Sequence, residues 1–482
     1  MNSECKYKNQ ITKNNSQTIN KSPGDVVLLK RIIDRLNIEK SVNKILKEKG
    51  GENKYKNLDN GQVAEILCLN RLIAPKPMYN VAKWAHEKKF IGDIHEIPES
   101  SMNDDRICEF LDVINPHLED IWNEIINTAI KKYNLSFDTL FNDITSSYFE
   151  GEYTKSELNA SGLSRNKRFY KKHIELGVNS NLEGIPLSYS IFKGNTAHES
   201  NKAENMAIVE KSITQFKTKK DKATIVVDRA MLDDKIILGY SNRKDVDYLG
   251  MLKLTDKLCE FIKEIEDIKY VLLNTKRDHG LFKAYRTSYQ FTYNNKTVEE
   301  TVLVYFSESK ALHDKKTRDK FIKSYIKSIN DFELKLNKTI YKKLDTIEKK
   351  VTKLARNVKG AKYVDVAITQ NREGNFMLKY SINQKIIDEE SKLDGKYIIA
   401  TNNHTLTNEE IFYTYKQRNI YEKDFSLIKG PLQLPLIFLK EDTKIESLIF
   451  IIMLSLLSHS LLKMLISESE LNVKILEIID TK

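Results

Sequence analysis

The chain has 482 residues, 40% of them hydrophobic and 30% charged, with only 17 glycines and 8 prolines. That composition excludes collagen-like and largely disordered classes and leaves apolar material for about three domains of ordinary size. A formal net charge of +11 points toward a polyanionic partner, though lysine enrichment also arises from coding bias. Four cysteines (Cys5, Cys68, Cys108, Cys259) with no CxxC pair exclude a zinc ribbon or a disulfide framework and fit a reducing, cytoplasmic setting.

Residues 1–25 are polar, lack the apolar core of a signal peptide, and are expected to form a disordered tail. From Val26 to Tyr133, "VVLLKRIIDRLNI", "NGQVAEILCLNRLI" and "DRICEFLDVINPHLEDIWNEIINTAIKKY" repeat apolar residues at steps of three and four, the pattern of an all-helical N-terminal domain over 26–133. DNA-end binding is expected of it, although no helix-turn-helix signature marks a recognition helix. The texture changes at Leu135. "FDTLFNDITSSYFEG", "YKKHIELGVNS" and "GIPLSYSIFKG" read as three strands, with turn chemistry at Asn181 to Gly184. A helix through Met206, Val209, Ile213 and Phe216 follows, then the strand "ATIVVD", a helix around "KIILGYSNRK" and the strand "VDYLGMLKL". This β-β-β-α-β-α-β order over 134–253 is that of a ribonuclease H-like core, an α/β mixed sheet.

The core is then interrupted. Residues 254–396 hold a hairpin, "SYQFTYNNKTVEETVLVYF", a lysine-rich helical stretch from about Ala311 to Val358, and the strands "YVDVAITQ" and "FMLKYSIN", with "GKYIIATN" read as a further strand at its end; a mostly β insertion is expected. Residues 397–482 are expected to return to the core. They include "SLIFIIMLSLLSHSLLKMLI", Ser447 to Ile466, which is long enough to span a bilayer but carries four serines, His459 and Lys463. It reads as a buried helix, with no membrane partner.

Three carboxylates fall at defined places in this frame: Asp143 in the first strand, Asp228 at the end of "IVVD", and Glu422 in "YKQRNIYEKDFSLIKG". First and fourth strands are neighbours in such a core, so Asp143 and Asp228 approach one another. Hard carboxylate oxygens with no cysteine or histidine nearby suit Mg²⁺ or Mn²⁺, and two such ions about 3.5 to 4 Å apart can drive phosphodiester chemistry. Taken as one helix, Tyr415, Arg418, Glu422 and Lys429 share a face; Arg418 and Lys429 suit phosphates, and Tyr415 offers a hydroxyl or a ring. A solvated helix face with internal ion pairs is the plainer reading of the same charges. Asp138 reads as a turn or cap residue, Glu150 and Glu152 as solvent-facing, His173 and His198 as structural, and Lys217, Lys219, Lys220 and Lys222 of "KTKKDK" as a solvated loop. Tyr289, Phe291 and Tyr293 read as the packed face of a hairpin, with base stacking as the alternative.

The sequence resembles the DDE transposases of bacterial insertion sequences that carry a strand-rich insertion in a ribonuclease H-like domain. The signature Y-x2-R-x3-E-x6-K is complete as Tyr415, Arg418, Glu422 and Lys429, while "DITSSYFEG" and "VVDRAML" look like the two aspartate motifs. "GIPLSYSIFKGNTA" and "DGKYIIATN" extend the likeness over about 136–466. Relatives often have tryptophan after the signature arginine, where this chain has Asn419. The resemblance implies binding to terminal inverted repeats, cleavage at the element ends and joining of 3′-hydroxyls to target DNA. It also implies two Mg²⁺ or Mn²⁺ ions held by Asp143, Asp228 and Glu422, phosphate contacts from Tyr415, Arg418 and Lys429, a homodimer on paired ends, and a nucleoid-associated protein of the bacterial cytoplasm. The rival readings are a ribonuclease H-like nuclease or resolvase without strand transfer, and a non-catalytic DNA-binding derivative.

Overall fold

Helices α1 (Gly24–Arg35), α2 (Ile38–Glu48), α3 (Asn60–Ile73), α4 (Met78–Glu87), α5 (Asp104–Ile114) and α6 (Leu118–Tyr133) occupy the start of the chain. Strands β1 (Thr139–Tyr148), β2 (Ala160–Ser161), β3 (Lys172–Ser180) and β4 (Pro186–Lys193) lead to α7 (His198–Phe216), β5 (Ala223–Val227), α8 (Asp234–Ser241), β6 (Val246–Met251) and α9 (Asp256–Lys263). Then come β7 (Val271–Leu272), β8 (Phe282–Tyr293), β9 (Lys296–Ser307), α10 (Glu308–Glu333), α11 (Leu344–Ala355), β10 (Val364–Gln370), β11 (Phe376–Ile382), α12 (Gln384–Ser391), β12 (Lys396–Thr401), α13 (Asn408–Lys416) and α14 (Asp442–Glu468). The computed structural model describes residues 24–50, 57–87, 101–148, 156–161, 172–196, 198–216, 222–229, 231–241, 243–274, 282–418, 425–432, 434 and 439–468.

The chain divides into two units, the first formed by Met1–Leu135, Ser147–Ile174 and Ser426–Lys482. Its helices bury the stripes their periodicity dictates: Ile38, Val42, Ile45 and Leu46 on α2, and Ile107, Phe110, Leu111 and Ile114 on α5. Helix α3 opens on a capping box, in which the Asp59 carboxylate accepts from the Gln62 N–H at 2.8 Å and the Asp59 N–H donates to the Gln62 side chain at 2.9 Å. Helix α14 is apolar all round and is buried all round, packing on α1, α3 and α5. It is long and apolar enough to cross a membrane, yet 78% of its most apolar window is buried within the protein. Its serines explain themselves: Ser455 and Ser458 donate back to the carbonyls of Ile451 and Leu454 at 2.8 and 2.9 Å, and Ser447 donates to the Leu111 carbonyl at 2.7 Å. Residues 397–482, expected as one return to the core, are thus divided after Phe425, because an all-round apolar helix is best covered by a bundle that surrounds it.

The second unit comprises Ser136–Ser146 and Glu175–Phe425. It is mixed α/β around a large mixed sheet, whose order runs β3-β1-β5-β6-β12-β9-β8-β7, with β4 paired on β3. The β1–β5 and β5–β6 pairs are parallel, whereas β6–β12, β12–β9, β9–β8 and β8–β7 are antiparallel. The hairpin turn at Asn294 and Asn295 has positive φ at both residues, the geometry that suits the twist of a two-residue hairpin.

Two expectations are corrected in this unit. The hairpin β8–β9 is no separate β domain, since β9 pairs along the whole of β12 and prolongs the main sheet. The insertion over 254–396, expected as mostly β, is also more helical than β among the described residues: the lysine-rich stretch forms α10 and α11, helical as read, and together with α9 and α12 these outweigh the strands. With β10 and β11 these helices enclose a core of their own, including Ile322, Tyr325, Ile329, Phe332, Ile347 and Leu378.

Gly250 on β6 marks a close approach: a Cβ there would stand 2.6 Å from Val227 Cγ2 and 2.9 Å from Leu232 Cδ2. Gly250→Val is expected to destabilise the fold by about 1–3 kcal/mol, the usual cost of overpacking. Urea unfolding checks it, and a midpoint equal to wild type would show that the strand has room to give.

Candidate functional site

The site starts from two short apolar runs. Leu140 and Phe141 on β1 and Val226 and Val227 on β5 are buried, and β-branched and aromatic residues suit such a doubly covered sheet. Their parallel register pairs Thr139 with Thr224 and ends at Asn142 with Val227. The next residue on each strand is an aspartate. Asp143 and Asp228 therefore leave the ladder side by side, where β5 stops. Asp228 begins a turn, its carbonyl accepting from the Met231 N–H at 2.8 Å, and the Asp143 carboxylate accepts from the Ile144 N–H at 2.8 Å.

Helix α13 brings the third member. It opens on another capping box, with the Glu410 N–H donating to Thr407 Oγ1 at 3.2 Å and the Thr407 N–H to Glu410 Oε2 at 2.8 Å. Phe412 fixes it to the sheet, its ring 4.9 Å from that of Phe282 and 5.2 Å from that of Tyr305. The helix closes at Lys416 in a tightened last turn, in which the Gln417 N–H donates to the Tyr413 carbonyl and the Arg418 N–H to the Tyr415 carbonyl. The expected unbroken helical face from Tyr415 to Lys429 is thus corrected: Arg418 lies in a turn beyond the helix.

From that turn the guanidinium reaches both carboxylates. Nη1 lies 2.5 Å from Asp228 Oδ1, Nη2 lies 3.7 Å from Asp143 Oδ2, and Nη1 also donates to the Tyr415 hydroxyl at 3.2 Å. Burial works against the charge on Arg418, but Asp228 and then Asp143 outweigh it and hold the guanidinium above its ordinary value. Burial raises the Tyr415 hydroxyl, with Arg418 opposing. Two adjacent carboxylates share one cation, an arrangement that concentrates negative charge at a strand terminus and can exchange that cation for another.

The structure brings together Asp143, Asp228, Arg418 and Tyr415 from the sequence reading. Glu422, with Asn419, lies outside the described residues. Lys429 is half-buried in helical residues 425–429 and falls in the first unit. Among the described residues no group of three or more His, Cys, Asp or Glu could hold a metal ion; Asp143 and Asp228 supply a pair of hard-oxygen groups. Asp138 accepts from Ser136 Oγ at 2.7 Å, in keeping with a turn residue. His173 is fully buried against the Tyr148 ring, while Lys222 pairs with Asp247 at 2.9 Å. Glu150, Glu152, Lys217, Lys219 and Lys220 lie outside the described residues. Tyr289 and Phe291 pack on one another at 5.0 Å, and Tyr289 on Phe261 at 5.1 Å, as a packed hairpin face, but Tyr293, expected on the same face, is exposed.

Sequence reasoning missed a buried polar network on the neighbouring strands. Asn142 Nδ2 donates to Asn179 Oδ1 at 2.7 Å, Asn179 Nδ2 to Ser188 Oγ at 3.1 Å, Ser190 Oγ to Asn205 Oδ1 at 2.6 Å, and Asn201 Nδ2 to Glu175 Oε2 at 2.6 Å. Gly177 makes room for it, since a Cβ there would meet Asn205 Oδ1 at 2.5 Å. The available signal was Glu175 and Asn179 on the same face of β3 with Gly177 between them, and an Asn201/Asn205 pair one turn apart on α7.

Comparison with known proteins adds little. A family model described as a domain of unknown function, DUF4277, matches residues 20–127. No curated protein matches. Among solved structures, a paired-end complex of the Mos1 transposase with the left transposon end is similar at 12% identity, covering 37% of this chain and 53% of that one, with a TM-score of 0.14. This chain thus spans about half the length of that relative, and a likeness of that degree carries no argument about fold or function.

Proposed function

We propose that this protein is a DNA transposase of an insertion sequence. It would bind terminal inverted repeats as a homodimer on paired ends, cleave at the ends, and join 3′-hydroxyls to target DNA. The observation that carries this reading is the parallel β1–β5 pair, which delivers Asp143 and Asp228 side by side with Arg418 across them. The strand order β4-β3-β1-β5-β6 supports a ribonuclease H-like core, in which first and fourth strands adjoin. In this reading Asp143 and Asp228, with Glu422, hold two Mg²⁺ or Mn²⁺ ions. Held there, such ions would supply activation of a water or 3′-hydroxyl oxygen for attack on phosphorus and stabilisation of the departing oxygen. Arg418 and Tyr415 orient the strand through its phosphates, Arg418 with a planar fork, and a phosphate contact from Lys429 is part of the same reading.

The test uses purified protein, DNA carrying the sequences that flank the gene, supercoiled plasmid and Mg²⁺. Nicked or linear plasmid joined to the end-bearing DNA is the expected product. Cleavage with no joined product would leave a nuclease or resolvase, and no cleavage of any end-bearing DNA would overturn the enzyme reading.

A further inference from the structure

We infer that the outward face of α10 is a second polyanion-binding surface, one that grips the backbone of duplex DNA without reading its sequence. The choice of DNA rests on the function proposed above; the surface itself rests on charge and geometry. From Glu308 to Lys362 the sequence holds 17 lysines and arginines against 7 aspartates and glutamates, an excess of ten in a chain whose whole excess is 11. The chain's basic character therefore belongs to this helical subdomain rather than to the surface at large.

Within it, Lys316, Lys320, Lys323 and Lys327 follow at steps of four, three and four. At about 100° per residue they form one stripe, roughly 16 Å long. The opposite side of the helix carries Ile322, Tyr325, Ile329 and Phe332, all buried in the subdomain core. All four lysines are exposed, and none is in an ion pair among the described residues. Four other cations of the subdomain are committed: Arg318 forms a two-pronged bond to Asp394 at 2.8 and 2.6 Å, Lys310 pairs with Asp314, Lys349 with Asp345 and Lys362 with Glu390. The Arg318–Asp394 fork, the Ser307 cap and the apolar core hold the stripe in a fixed orientation.

A merely solvated helix face gains by interleaving acids at such steps, because like charges one turn apart repel. Along this stripe the one acid at such a step is Asp319, three residues after Lys316 and four before Lys323, against four lysines; the excess of like charge is matched by a partner with closely spaced negative charge. Duplex DNA carries one charge per about 1.7 Å of axis, and neutralising its phosphates releases counterions. The stripe has point charges on flexible stems and no Asn, Gln or Arg, the side chains that read base edges in pairs, so its contacts are with phosphates.

The experiment compares wild type with the fourfold variant Lys316→Gln, Lys320→Gln, Lys323→Gln, Lys327→Gln, both as full chains, binding a random-sequence duplex across a sodium chloride series. The salt slope should fall by about 0.9 for each phosphate no longer neutralised, a decrease of up to about 3.6 for the four lysines. Affinity at moderate salt should fall at least tenfold, with the melting temperature unchanged. The fourfold arginine variant should keep the slope. Should the glutamine variant melt early, Lys316→Gln with Lys320→Gln, compared with its arginine counterpart, still reads the slope. An unchanged slope overturns the proposal. So does loss of binding to anionic lipid vesicles with DNA binding intact, which would make the surface a membrane-docking face. Failure of the transposase reading is separable: a wild type that cleaves nothing, yet loses its salt slope in the fourfold variant, leaves this surface standing.

Discussion

Asp143→Asn and Asp228→Asn are each expected to abolish DNA cleavage and joining while leaving DNA binding near wild type. Asparagine keeps the size and shape of the side chain and can still accept the Ile144 N–H bond at position 143, so the strand pair from Thr139 to Asn142 and from Thr224 to Val227 should persist. What changes is charge. In the proposed reading these carboxylates would hold the cations that stabilise the departing oxygen, and losing one such fixed group costs about a hundred- to a thousandfold in rate. Divalent-ion binding, followed by calorimetry on the DNA-free protein, should weaken in parallel. Binding to end-bearing DNA should hold or tighten slightly, because a negative charge facing the phosphates has gone. Near wild-type cleavage in Mg²⁺ by either variant would remove that residue from the site. A variant that loses both activity and its melting transition would show only that the strand pair needs the charge.

The strands that present these aspartates were legible because their signals are local. β-Branched and aromatic runs bounded by turn residues mark β1, β3, β4 and β5, and the Asn181–Gly184 turn forms as read, with the Gly184 N–H bonded to the Asn181 carbonyl. The end of α13 was not legible. No glycine or proline closely follows Lys416, and a regular spacing of Tyr, Arg, Glu and Lys says nothing about whether the backbone stays helical between them. The turn at Arg418 forms where a guanidinium reaches two carboxylates brought from distant strands, a tertiary contact that no local window contains. The same limit hid the Asn142–Asn179–Asn205 network, whose members come from β1, β3 and α7. It also hid the neighbours of α14, since all-round apolarity states that a helix is buried but not against what.

The Arg418 bridge leads to the second large effect: Arg418→Ala should bind divalent ions more tightly than wild type in the absence of DNA, yet cleave DNA far more slowly. Between Asp228 at 2.5 Å and Asp143 at 3.7 Å, the guanidinium competes for the very oxygens a metal ion would take. Side-chain exposure of 22% tempers the competition by solvent screening. A tightening on the order of tenfold, about 1.4 kcal/mol, is therefore expected when the competitor is removed. The metal-free variant should also melt earlier, because the two carboxylates are left facing one another unneutralised. Cleavage moves the other way. If a DNA phosphate draws the guanidinium off the aspartates as metal enters, losing that clamp misplaces the scissile phosphate, at a cost on the order of a hundredfold. Arg418→Lys should be intermediate in both measurements, since a single ammonium point charge cannot span both carboxylates as a planar fork does. Calorimetric titration of Mn²⁺ into each DNA-free variant, with melting curves alongside, reads the first effect independently of activity. Equal Mn²⁺ affinity and equal melting in wild type and Arg418→Ala would mean that the guanidinium does not compete for the carboxylates. DNA should then raise Mn²⁺ affinity equally in wild type and Arg418→Ala, through its own phosphates, whereas competition requires a larger rise in wild type.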